Sequence, residues 1–176
     1  NSSTIRLLDN IQLEGTGITV AAGQKITLDL NGYTIAGISN AAASTALIDN
    51  KGTLVIDDTS AAGTGKITSS ATNPDTEWAA GYPAYSNNTI NNTGHLTIEG
   101  GRIENATGAG YCIPIDNLGG TLTVNGGHIV HLDGQDAIRM FANSTTTLNK
   151  VEINGGTIEG GCSAIWVHIP GASAAS

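Results

Sequence analysis

Apolar and polar positions alternate along most of this chain, in runs too short for anything but strands. Leu96 and Ile98 are apolar while Thr97 and Glu99 are polar; Leu122 and Val124 repeat this against Thr123 and Asn125. A period of two puts successive side chains on opposite faces of a strand. Each run ends in a Gly-Gly or Asn-Gly pair, followed two or three residues later by an isoleucine (Ile35, Ile103, Ile129, Ile158). Glycine enters positive-φ conformations that other residues resist, so the pair predicts a turn that sends the isoleucine back inside. A second strand is read upstream of each run, at 46–50, 89–92, 112–117, 137–141 and 164–167. No stretch keeps a 3.6-residue period long enough for a helix.

The runs are copies of one another. LDLNGYTI (28–35), LTIEGGRI (96–103), LTVNGGHI (122–129) and VEINGGTI (151–158) share one register, and a degenerate LVIDD (54–58) leads to GKI (65–67). Their first residues are 26, 42, 26 and 29 positions apart, the long interval being one repeat with an insertion at 69–88. Aligned this way, Asn31, Asp57, Glu99, Asn125 and Asn154 fall at one turn, and Asn50, Asn92, Asn117 and Asn143 at another. Stacked amides hydrogen-bond from layer to layer, and Asn tolerates the left-handed region, so these positions read as turn structure.

Hairpins would alternate in direction, whereas each repeat here returns to the same residue type at the same place. The fold class expected is all-β: a single-stranded parallel β-helix of about six coils, ~4.8 Å per coil and roughly 30 Å long. It is expected to be right-handed, as parallel crossovers almost always are. Ile98, Val124 and Ile153 should stack inside it. Residues 1–176 read as one domain.

Three runs, 18–35 (ITVAAGQKITLDLNGYTI), 52–58 (GTLVIDD) and 119–127 (GGTLTVNGG), resemble the right-handed β-helix repeats of bacterial adhesin-like surface proteins, within the pectin-lyase-like superfamily. The resemblance covers nearly the whole chain. It implies the fold; for function it implies an extracellular, cell-surface module, with a phage virion as the alternative compartment. Related coils serve cell-wall-anchored proteins, polysaccharide-active enzymes and phage fibres.

Composition narrows the partners. Seven Lys and Arg against 15 Asp and Glu give a net charge of −8, with only 12% of residues charged. That cannot build the basic stripe nucleic acid requires, nor a polybasic membrane face. No apolar run approaches the ~20 residues of a membrane span. Aromatics are 4%, so the core must be Ile, Leu and Val. The start, Asn-Ser-Ser-Thr, has no apolar leader; either one was removed or the chain is a segment of a longer protein.

Candidate chemistry is sparse. Asp57-Asp58 is the adjacent acidic pair and resembles part of a polygalacturonase-type pattern, but the Gly-His-Gly and Arg-Ile-Lys motifs of those hydrolases are missing. Carboxylates from different coils, such as Asp133, Asp136 and Glu159, could also form a hydrolytic pair. His95, His128, His131 and His168 lack metal-ligand spacing. No cofactor is expected; calcium in the Asp/Asn turns is the metal the composition admits. Thr97 and Thr123 begin an outward Thr ladder of the ice-binding kind, broken by Val55 and Glu152. Cys112 and Cys162 align two coils apart, too far for a disulfide.

The insertion gathers Trp78, Tyr82 and Tyr85, whose rings could bind a glycan or protein or could cover the side of the helix. A column of Pro114, Arg139 and Trp166 on adjacent coils would join them as one binding side, or else pack the end of the rod. The expected function is a non-catalytic adhesin-like module that binds glycan or protein, or acts as a rigid spacer. A polysaccharide lyase or glycoside hydrolase and a self-associating fibre subunit are the alternatives.

Overall fold

The computed structural model describes residues 2–38, 46–70, 88–106, 108, 112–141 and 150–168. They form six coils of three strands. The first coil is β1 (Ser2–Arg6), β2 (Ile11–Glu14) and β3 (Ile18–Val20); the second is β4 (Lys25–Asp29), β5 (Thr34–Ile38) and β6 (Ile48–Asn50). The third is β7 (Thr53–Asp57), β8 (Lys66–Ser69) and β9 (Ile90–Asn92); the fourth is β10 (His95–Ile98), β11 (Arg102–Asn105) and β12 (Ile115–Asn117). The fifth is β13 (Thr121–Val124), β14 (His128–Val130) and β15 (Ile138–Phe141); the last is β16 (Lys150–Ile153), β17 (Thr157–Glu159) and β18 (Ile165–His168).

Every strand pairs in parallel with its counterpart one coil on, giving three six-stranded sheets. Sheet A is β1-β4-β7-β10-β13-β16, sheet B is β2-β5-β8-β11-β14-β17, and sheet C is β3-β6-β9-β12-β15-β18. This is the parallel β-helix of six coils that the repeats predict. No described residue is helical, so no described helix is long and apolar enough to cross a membrane.

The core is a set of aliphatic columns. Leu96, Leu122 and Val151 are in register, as are Ile98, Val124 and Ile153. Ile67, Ile103, Ile129 and Ile158 form a third column, in sheet B. Ile98 and Val124 are fully buried, but Ile153, in the last coil, remains 43% exposed because no described strand stacks on β16.

The Gly-Gly turns need both glycines, for different reasons. Gly127 has φ of +78°, where a side chain is strained. Gly126 sits so close to the coil beneath that a Cβ would lie 2.3 Å from the Glu99 carbonyl oxygen.

Two alignments are corrected. Leu54 pairs with Ile26, and Leu28 with Ile56, so the first copy is displaced by two residues. From Leu28 the chain takes seven residues to reach Ile35, against five from the equivalent Ile98 to Ile103, and Leu30 tucks fully buried into the core in the longer turn. Asp29, not Asn31, therefore aligns with Asp57. Asn31 lies in the turn itself, at φ +49°. In sheet C, Arg139 pairs with Asp116 instead of Pro114, again a slide of two. An even slide leaves every side chain on its own face, so alternation cannot detect it. Asn117 accordingly faces Met140, and Asn143 lies outside the described residues. Of the expected insertion, Ser69 closes β8 and Asn88 leads into β9; residues 71–87 lie outside the described residues.

Candidate ligand-binding surface

From the third coil onward, the residue after the turn glycine starts the sheet B strand and faces outward. Across the coils this makes the column Lys66, Arg102, His128 and Thr157. The next outward column runs through Glu104, Val130 and Glu159. Together they make a strip of charge over four coils. Glu104 is buried and held by Lys66 Nζ at 3.2 Å and by Arg102 Nε. Arg102 Nη1 also lies 2.7 Å from His128 Nδ1. A guanidinium only donates, so Nδ1 must accept and the ring proton sits on Nε2. That Nε2 lies 3.2 Å from Glu159 Oε2, outside hydrogen-bond geometry. Lys66, Arg102 and His128 are about one-third exposed and Glu159 more so, while Glu104 is the buried anchor.

Two hydrogen-bonded ladders run elsewhere along the axis. Asn50 Nδ2 donates to Asn92 Oδ1 at 2.7 Å, and Asn92 Nδ2 to Asn117 Oδ1 at 2.6 Å, all three fully buried. At the turn between sheets A and B, Asn154 Nδ2 donates to Asn125 Oδ1 and Asn125 Nδ2 to Glu99 Oε1, both exposed.

The Asp57-Asp58 pair belongs to the turn. Asp58 accepts N–H bonds from Gly65 at 2.6 Å, Gly32 at 2.7 Å and Ser60 at 3.2 Å, pinning its own loop to the coil below. Burial pushes its carboxyl up, but these bonds outweigh it and hold the group below the usual carboxylate range. Asp29 is lowered in the same way, burial being outweighed by Thr59, Asn31 and Arg6. Asp133 accepts from Asn105 Nδ2 and the Gly108 N–H. His131 is buried and its Nδ1 accepts the N–H groups of Asp133 and Gln135.

Trp78, Tyr82 and Tyr85 lie outside the described residues. The register brings Arg139 and Trp166 together on neighbouring strands. Their column is corrected, however: Asp116 takes the place expected of Pro114, and Arg139 is only 2% exposed. Both its Nε and Nη2 donate to the Asp116 carboxylate, which also accepts from Asn88 Nδ2. Burial pushes the Asp116 carboxyl up against the pull of Arg139 and Asn88. The guanidinium lies 6.0 Å from the Phe141 ring centroid, near the outer limit of a cation–π contact. Arg139 is thus a structural cation, while Trp166 is half-buried in the last coil.

Cys112 and Cys162 are both free thiols. Burial drives the Cys112 thiol up to about 11, so it holds its proton at neutral pH. Among the described residues, no three His, Cys, Asp or Glu side chains are grouped to hold a metal ion. The Thr column is broken where the sequence suggests, by Val55 beside Thr97 and by Glu152 beside Thr123. The sheet B strip went unnoticed in the sequence, yet its signal was there: Gly-Lys, Gly-Arg and Gly-His recur at one point of the repeat.

No protein-family model matches the chain, and neither does any curated protein or solved structure.

Proposed function

We propose that the chain is a non-catalytic β-helix module of an extracellular surface, which lays the sheet B strip against a glycan. The compartment and the adhesin-like, pectin-lyase-like affiliation rest on the resemblance of the repeats. The observation that carries the reading is how the acidic groups are used. Glu104 is spent on two cations, Asp116 on Arg139, and Asp58 and Asp29 on backbone N–H groups. None of the four is left poised to donate a proton or attack a sugar. What remains open to solvent is a flat strip of donors and acceptors repeating at the coil spacing, ~4.8 Å. Sugar hydroxyls both donate and accept, so a polysaccharide lying along the axis would meet Lys66, Arg102, His128 and Glu159 in turn.

One observation favours an enzyme instead. Glu104 and Glu159 share a column two coils apart, about 9–10 Å by the sheet spacing, near the upper limit for an inverting pair of carboxylates. A single experiment separates the readings. The protein is titrated with soluble neutral and acidic polysaccharides, and each mixture is assayed for new reducing ends and unsaturated products. Binding without products, weakened at least several-fold by Arg102→Ala or His128→Ala, supports the proposal. Product release abolished by Glu159→Gln would make the chain a hydrolase or lyase. Binding lost only in Trp166→Ala or Trp78→Ala would move the binding side to the aromatic residues.

A further inference from the structure

His128 is the histidine of the sheet B strip, and histidine is the side chain whose charge ordinarily changes between about pH 5 and 8. Its ring lies between groups of fixed charge. From β11 on one side, Arg102 Nη1 donates to Nδ1 at 2.7 Å, and Arg102 Nε is bonded to the Glu104 carboxylate behind it. Lys66 Nζ, from the coil beyond, completes the hold on Glu104 at 3.2 Å. From β17 on the other side, Glu159 brings Oε2 to 3.2 Å from Nε2, while the residue paired with His128 there is the uncharged Thr157. On β14 itself the next outward residue is Val130. His128 Nε2 is buried and has no hydrogen-bond partner. With the ring neutral, the cations Lys66 and Arg102 balance the anions Glu104 and Glu159, and the strip has no net charge.

We infer that His128 is an acid-operated switch on this strip: its protonation releases Arg102 and turns the strip into a site for anionic groups on a glycan. The inference rests on the reading of the strip as the glycan-binding side. Its basis is a conflict of donors. A neutral imidazole offers Nδ1 as an acceptor, which is what a guanidinium needs; an imidazole that has taken a proton from water carries N–H on both nitrogens and accepts nothing. The Arg102–His128 contact then sets two donors and two positive charges 2.7 Å apart, and it does not persist. Arg102 does not leave altogether, because its Nε stays bonded to buried Glu104. What swings free is the Nη1 end of a side chain already one-third exposed. The ring, no longer pinned through Nδ1, turns Nε2–H onto Glu159 Oε2, exchanging a buried N–H without a partner for a charge-assisted hydrogen bond. Acidification thus draws Glu159 onto the ring, presents Arg102 to solvent and leaves the strip with one net positive charge. With the ring neutral nothing draws an anion there, since the strip's charges cancel and the whole chain carries −8.

The test uses the whole chain, with dextran sulfate as the anionic probe and uncharged dextran beside it. Sulfate esters stay ionised throughout, so any pH dependence belongs to the protein. Titration calorimetry at fixed ionic strength, from about pH 8 down to about 5.5, spans the histidine range. Dextran sulfate binding should tighten about fivefold or more, the worth of one charge contact at a water-exposed surface, while dextran shows no such change. His128→Asn keeps an acceptor for Arg102 but takes no proton, so its affinity should be flat across the range. His95→Asn, on sheet A, should tighten like wild type. Melting curves check that both variants fold. NMR of the ring nitrogens reads the switch without any ligand: at the alkaline end the His128 proton should sit on Nε2, and on acidification the Arg102 side-chain signals should move together with those of His128. A proton on Nδ1 at the alkaline end, no tightening in wild type, or equal tightening in His128→Asn overturns the inference. Dextran sulfate binding that is equal at every pH and weakened by Arg102→Ala would remove the switch and leave the strip as the binding side. If neither Arg102→Ala nor His128→Ala changes the binding of any polysaccharide, the reading of the strip fails and the switch with it.

Discussion

Polar side chains in this molecule hold coils together, and their contacts decide which of them are available for anything else. Asp58 is the clearest case, with three N–H groups from three parts of the chain converging on one carboxylate. Asp58→Asn replaces one acceptor oxygen by a donor and should cost about 1–3 kcal/mol, read as a lower melting temperature at neutral pH. The acid limb follows from the same contacts. The folded Asp58 carboxyl lies below its ordinary value, so on acidification the unfolded chain takes the proton first. This contribution is fully present above the ordinary carboxylate range, about pH 4, and is lost as pH falls through it toward the folded value. Asp116 is shifted upward and acts in the opposite sense, but it is common to both proteins and cancels in the comparison. The stability gap between wild type and Asp58→Asn should therefore be constant from pH 7 to about 5 and shrink below about 4. A gap that widens on acidification would reverse the sign.

Arg139 makes the same point about burial. Arg139→Ala strands the Asp116 carboxylate and should destabilise by about 3–5 kcal/mol, whereas Arg139→Met with Asp116→Leu should recover most of that. A ligand-facing arginine would show neither effect; chemical denaturation of the three proteins decides. The sequence shows an arginine at this point of the repeat but not what pairs with it, because alternation is blind to a slide of two residues. Pro114 and Asp116 are both outward-facing partners by pattern, and only the strand pairing chooses between them.

At the scale of the strand and turn, far more was legible. The strands at 46–50, 89–92 and 112–117 align on their terminal asparagines, and the structure joins those asparagines in a buried ladder. Asn92 is its centre, accepting from Asn50 and donating to Asn117 and the Thr121 carbonyl. Asn92→Ala leaves two buried amides and the part-buried Thr121 carbonyl without this partner and should cost at least ~2 kcal/mol. Hydrogen exchange should then show earlier opening in β6, β9 and β12 than in sheet B; uniform loss of protection would mean that the ladder has no local role. The limit of legibility lies in the turns. A Gly-Gly turn repeats its length, so the copies beginning at Leu96, Leu122 and Val151 align correctly. The Asn-Gly turn of the first copy hides two extra residues, because Leu30 is apolar and extends the alternation of β4. The sheet B strip was missed for a different reason: its residues are chemically unlike one another, and a repeat search rewards sameness.

For the whole molecule, stability is approximately a sum of coil-to-coil contacts, so an interior coil can be lost but not bypassed. Val124→Asp places an unpaired carboxylate in the axial column between Ile98 and Ile153. It should abolish the cooperative melting transition, since a domain's whole margin is only about 5–15 kcal/mol. The same substitution at Thr123, which faces outward on the same strand, should shift the midpoint only slightly. The stacking register is the central claim, because it assigns every column, the ladders and the charge strip. It is tested most directly by paired cysteines in a Cys162→Ser background. Thr97 and Thr123 are register partners on the outer face of sheet A, about 4.8 Å apart, within the Cα range of a disulfide. Thr97 and Thr121 are offset by two residues, about 8 Å, beyond it. The account predicts that Thr97→Cys with Thr123→Cys oxidises fully and keeps or raises the melting temperature, while Thr97→Cys with Thr121→Cys stays reduced. The opposite pattern, or no bond in either, would contradict the register and with it the column assignments.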